Sequence, residues 1–195
     1  LVGYLPVGFP SVDESIEAMV AMVDAGVDIV EIGFPYTDPL MDGPVIQTAT
    51  TRALENGVDI GDVFKAVKAV TDAGAAAVVM IYWNLVLRYG VDEFARDLVA
   101  AGGSGLVTPD LVPDEADEWI AAAAKHDLDK VFLVAPSSTL DRIEYVTSQS
   151  SGFVYATAVM GVTGARSAVG ADAQSLVERV RSFTDLPVGV GIGVS

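Results

Sequence analysis

Glu31, Asp38 and Asp42 are the side chains of this sequence whose type and place most suggest chemistry. Glu31 stands in the run DIVEIG, flanked by Val30 and Ile32. A carboxylate in a strand covered on both faces is costly unless it has partners or a task. Glu31 therefore reads as a functional acid or base rather than as a residue reaching solvent at a strand end. The segment that follows, GFPYTDPLMDGP over 33–44, is longer than the usual strand-to-helix connection of about 2 to 6 residues. Pro35, Pro39 and Pro44 restrict it, and Asp38 and Asp42 lie between them. Asp38 reads equally well as a turn residue bonding its own backbone. For Asp42, followed by Gly43 and Pro44, spacing alone decides nothing.

Other chemistries have less support. There is no cysteine, which removes thiolate nucleophiles, disulfides and iron–sulfur ligation and fits a cytoplasmic setting. The one histidine, His126, falls at the end of a helical segment leading to the amino end of the next strand, where a solvated side chain is expected and a Ser-His-Asp triad is not. Asp38 and Asp42 could hold a hard divalent cation, but nothing else at ligand spacing supports it, so no metal is expected. Lys65, Lys68, Lys125 and Lys130 fall on helices or at a strand's start, which disfavours a Schiff-base aldolase.

The elements that position the acids alternate regularly. Strands are predicted at 2–5, 28–32, 77–82, 105–108, 131–135, 153–158 and 188–191. Between them apolar residues recur at helical spacing, as in Ile16, Met19, Val20 and Val23 or Ala116, Trp119, Ile120 and Ala123. Ser11 with Glu14 reads as a capping box, Gly26 as the stop of the first helix, and Pro113 with Asp114 as a helix start. Near-continuous apolar strands such as VFLVAP are buried on both faces and hence parallel. No GxGxxG follows the first strand, which argues against an open dinucleotide-binding sheet. The expectation is an α/β fold, a single (β/α)₈ TIM barrel domain over 1–195, truncated after its seventh strand and lacking its natural start. In such a barrel the site is built at the carboxyl ends of the strands.

Composition limits the partners. With 27 acidic against 11 basic side chains the formal charge is −16, so no nucleic-acid surface is expected, and no apolar run is long enough to span a membrane. An acidic body repels anions at long range, so a bound phosphate must be held by local backbone donors, which directs attention to the glycines.

In order along the chain, GYLPVGFPS, VEIGFPYTDPLMDGPVIQTAT, YWNLVLRYGVDEF, TPDLVPDEA, FLVAPSST, GFVYATAVMGVTGAR and PVGVGIGVS resemble the tryptophan synthase α subunit family. The ordered EIGFPYTDPLMDGP block is highly specific, whereas GVTG or GVGIG alone is weak. The resemblance implies a (β/α)₈ barrel that splits indole-3-glycerol phosphate into indole and glyceraldehyde 3-phosphate, with Glu31 and Asp42 at the catalytic positions. It puts Tyr4, Ile46, Met80, Tyr82, Val107 and Tyr155 around the indole, and Thr163, Gly164 and Gly193 at the phosphate. Asp110 and Asn84 match positions near the pocket and also read as a helix cap and a turn residue. The family further implies a β subunit partner in an α2β2 heterotetramer, touching this chain near Pro35, Asp38 and Pro39. That partner carries the pyridoxal phosphate, and none is expected on this chain. Two alternatives remain open: another phosphosugar lyase or isomerase on the same fold, or a barrel that only activates its partner.

Overall fold

A computed structural model describes residues 1–157 and 171–191. The chain runs β1 (Val2–Pro6), α1 (Val12–Asp24), β2 (Ile29–Gly33), α2 (Pro44–Glu55), α3 (Ile60–Asp72), β3 (Ala76–Met80), α4 (Trp83–Tyr89), α5 (Val91–Ala100) and β4 (Gly105–Val107). A 3-10 turn (Pro113–Glu115) then leads to α6 (Asp117–His126), β5 (Asp129–Val131), β6 (Leu133–Val134), α7 (Leu140–Gln149), β7 (Val154–Thr157), α8 (Ala171–Arg181) and β8 (Val188–Gly191). Every strand pair is parallel, in the orders β1-β2-β3-β4-β5 and β6-β7-β8.

β5 and β6 are two halves of one stave, divided at Phe132: the first half bonds β4, the second bonds β7, and the Phe132 carbonyl accepts from Tyr155 N at 3.1 Å. The described residues thus form seven staves of a (β/α)₈ barrel, with the alternating order expected. The single strand expected over 131–135 corresponds to this divided stave, which begins at Asp129.

Strand alternation sorts side chains into two sets. Val78, Val107, Val131 and Phe153, with Ile29, Met80, Leu133 and Tyr155, fill the barrel interior. Val30, Ile32, Ala77, Val79 and Leu106 face outward onto the helices, where Phe94, Leu98, Trp119 and Ile143 are fully buried. Glu31 shares the inward set with Ile29, two residues before it on β2.

Local signals act as the residue types dictate, with three differences. Ser11 Oγ accepts from Glu14 N at 3.2 Å and so caps α1, but the Glu14 carboxylate takes the Ser11 hydroxyl proton at 2.7 Å instead of reaching back to the backbone. The reciprocal capping box belongs to α3, between Asp59 and Asp62. Pro113 and Asp114 open the 3-10 turn, and α6 starts at Asp117. His126 is not the solvated helix-end residue expected from its position. Its side chain is 17% exposed, and its Nε2 meets Asp92 Oδ1 at 2.9 Å, where Lys125 also donates, so the pair clasps α6 to α5.

Candidate active site

Glu31 lies within the sheet, paired on both sides: its neighbours in register are Tyr4 on β1 and Val78 on β3, and it is 4% exposed. Burial pushes its carboxyl up from an ordinary 4.5 to about 7. Among the described residues no side chain or backbone N–H donates to it, so nothing offsets the loss of water. A carboxyl of this kind is protonated for much of the time near neutral pH and can both give and take a proton.

Tyr4 and Tyr155 flank this acid in similar ways. A Cβ on Gly33 would stand 2.7 Å from Tyr4 Cε2 and 2.8 Å from its Cζ, so the ring lies across the glycine of the adjoining strand. The Tyr155 ring lies across Gly191 of β8 in the same manner, 2.7 Å from Cε1 to the equivalent point. Burial raises both phenols above the usual tyrosine range, and the negative charge of Glu31 adds to the effect on each. On Tyr4 the charge of Asp42 acts more strongly than that of Glu31, which brings both acids to one end of the barrel, around one phenol.

Asp42 is 5% exposed, and burial raises its carboxyl above the usual aspartate range. Its place on the loop after β2 is fixed from two sides. Tyr82 Oη accepts from Leu40 N at 2.9 Å and from Met41 N at 3.3 Å, while Gln47 Nε2 donates to the Asp42 carbonyl at 2.8 Å. Tyr36 stacks on Tyr82 with ring centroids 4.7 Å apart. Tyr82 is also the N-cap residue of α4 and gives that helix no side-chain cap; Asp110 supplies it, accepting from Trp83 N at 2.9 and 3.2 Å.

The remaining expected positions divide clearly. Met80 and Val107 lie at the carboxyl ends of β3 and β4 among the interior side chains, and Ile46 is half-buried in the first turn of α2. Asp38 is exposed and accepts from Thr37 Oγ1 at 2.6 Å; Pro39 is half-buried, and Pro35 is buried within the chain's own fold. Asn84 is exposed on α4. Thr163, Gly164 and Gly193 lie outside the described residues. Sequence reasoning missed Tyr36, Gln47 and Gly33. Gln47 had a weak signal, as a polar side chain one turn into a helix opened by Gly43 and Pro44.

Comparison with known proteins agrees with this geometry. Residues 1–195 match the family model described as tryptophan synthase alpha chain. The chain is 61% identical over 194 residues to the tryptophan synthase alpha chain of Mycobacteroides abscessus, a match covering 100% of this chain and 74% of that protein. It superimposes on a solved structure of Mycobacterium tuberculosis tryptophan synthase with a TM-score of 0.94 at 58% identity, over 99% of this chain and 74% of that one. A tryptophan synthase α2β2 complex from Pyrococcus furiosus gives a TM-score of 0.91 at 32% identity, over 100% of this chain and 79% of that one. With the barrel, the buried Glu31 and the braced Asp42 already in place, these matches mean that the chain belongs to the tryptophan synthase alpha chain family, lyases of tryptophan biosynthesis.

Proposed function

We propose that this chain cleaves indole-3-glycerol phosphate to indole and D-glyceraldehyde 3-phosphate by a retro-aldol reaction. Glu31, protonated by virtue of its burial, gives its proton to the ring carbon that bears the glycerol phosphate chain. The ring nitrogen becomes cationic, and the Asp42 carboxylate, accepting from its N–H, stabilises that charge. Glu31, now a carboxylate, takes the proton of the adjacent side-chain hydroxyl. The C–C bond breaks, its electron pair restores the aromatic ring, and the hydroxyl carbon becomes the aldehyde. The proton count closes, with Glu31 protonated again.

Tyr4, Ile46, Met80, Tyr82, Val107 and Tyr155 form the walls around the indole in this reading, and Thr163, Gly164 and Gly193 hold the phosphate through backbone N–H groups. The chain acts as one domain over 1–195 and needs no cofactor of its own. Its partner is a β subunit in an α2β2 complex, as in the Pyrococcus furiosus relative, and the pyridoxal phosphate resides there. Asp38 and Pro39 offer the contact surface near the mouth, on the segment that follows the buried Pro35.

The observation that carries the reading is Glu31: a carboxyl almost wholly removed from water, without a donor among the described residues, in the barrel interior beside a phenol that a second acid, Asp42, also acts on. Indole release by the full-length chain tests it. Glu31→Gln keeps the volume but can neither give nor take the proton, and is expected to lose turnover entirely. Asp42→Asn is expected to lose most of it. Wild-type turnover in the Glu31 variant would end the proposal.

A further inference from the structure

Gly33 stands at the inward-facing end of β2, two residues beyond Glu31 toward the barrel mouth. Glycine weakens a strand interior and is retained where another group must come close. Gly33 is not one of the glycines whose φ lies in the left-handed region, so its backbone makes no demand for glycine. What makes the demand is Tyr4: a Cβ at this position would meet the ring edge at 2.7 and 2.8 Å, inside any real carbon contact, and the phenol oxygen closer still. Tyr4 starts level with Glu31 in the β1–β2 register, and Pro6 is level with Gly33. Its ring therefore runs diagonally from beside Glu31 to above Gly33.

We propose that Gly33 and Tyr4 act as one device, in which the bare glycine is a seat for the Tyr4 ring and the seated ring shields the mouth-side flank of the Glu31 carboxyl from water. Tyr4 is then a positioning residue as well as a wall of the pocket. The ring, not the hydroxyl, does the shielding. The upward displacement of the Glu31 carboxyl, which comes from burial, fits this role. The titratable groups that feel the charge of Glu31 among the described residues are Tyr4 from β1 and Tyr155 from β7; Asp42, from the loop after β2, acts on the same Tyr4 phenol, and β3 contributes Val78, which is uncharged.

The inference rests on the proposed role of Glu31 only for its consequence in turnover, since the shielding itself can be read without substrate. The experiment is a carboxyl titration by NMR of the full-length chain labelled with ¹³C at the glutamate side-chain carboxyl, the Glu31 resonance being identified by its loss in Glu31→Gln. Gly33→Ala and Tyr4→Ala are each expected to weaken proton binding by Glu31 at least tenfold. Tyr4→Phe keeps the ring and is expected to leave it unchanged. In the Tyr4→Ala background Gly33→Ala has nothing left to displace, so the double variant should titrate like Tyr4→Ala alone. An unchanged midpoint in Tyr4→Ala, effects that add in the double variant, or a fall in Tyr4→Phe equal to that in Tyr4→Ala would each overturn the proposal. If Gly33→Ala does not fold, the comparison of Tyr4→Ala with Tyr4→Phe still decides. A normal titration pattern in a chain that releases no indole would count against the proposed reaction and leave the shielding intact.

Discussion

Replacing Glu31 by Gln should stabilise the protein, and should do so only at high pH. The sign follows from the proton affinities. In the unfolded chain this carboxyl titrates near its ordinary 4.5, and in the fold it titrates near 7. Below 4.5 it is protonated in both states and costs little; above 7 it is ionised in both, and the folded state holds a carboxylate largely stripped of water. A group whose folded value is raised contributes stability that is present below the unfolded value and lost as pH rises through the folded one. Each tenfold change in proton affinity is worth about 1.4 kcal/mol, so the interval comes to about 3 kcal/mol, a sizeable part of a typical stability of about 5–15 kcal/mol. The glutamine is uncharged throughout and escapes the loss. Urea unfolding of full-length wild type and variant at pH 5 and pH 8 measures it. The advantage of the variant should grow by about 2 to 3 kcal/mol between those two conditions. A gap that is the same at both pH values would mean that Glu31 is hydrated or paired in the fold, and the account of its burial would be wrong.

Other outcomes follow from the same geometry. Turnover by the isolated chain should fall as pH rises through about 7, because the proposed reaction begins with protonated Glu31; a rate that stays flat to pH 9 contradicts this. Tyr82→Phe removes the acceptor of the Leu40 and Met41 N–H groups and should lower kcat by about tenfold, since water reaches the exposed loop and replaces part of what is lost. An unaltered kcat would show that Asp42 is placed without that hydroxyl. Asp38→Lys should weaken assembly with the cognate β subunit in sedimentation while leaving α-chain folding unchanged; normal assembly and mutual activation would move the contact surface elsewhere.

The barrel was legible in the sequence because its evidence is periodic: apolar strands of about five residues alternate with helical spacing, and each inward or outward position follows from the pleat. Glu31 was legible for a related reason, since one charge in an apolar run is visible without any tertiary information. Asp42 was not, because a loop aspartate before Gly-Pro has local uses, and what distinguishes this one is a phenol 40 residues downstream at Tyr82 and a carboxamide on α2. The Phe132 division was likewise hidden: a stave that bonds one neighbour with its first half and the other with its second reads as a single apolar run. At Ser11 the motif predicted both arms of a box, but its hydroxyl offered Glu14 a nearer donor than the backbone did.

Because Tyr82 spends its phenol on the loop after β2, the helix it begins must borrow a cap from the following βα unit, and Asp110 provides it. Divergence at these sites is therefore not independent. Position 110 can drift among Asp, Asn, Ser and Thr, whose short oxygen-bearing side chains can still reach the Trp83 N–H, whereas Ala would leave that helix start bare. A lineage that replaced Tyr82 with a residue able to cap α4 itself would release position 110 from this restriction, but would lose the acceptor for Leu40 and Met41. Residues 82 and 110 are thus expected to change together in sequences of this family, although one is buried and the other exposed.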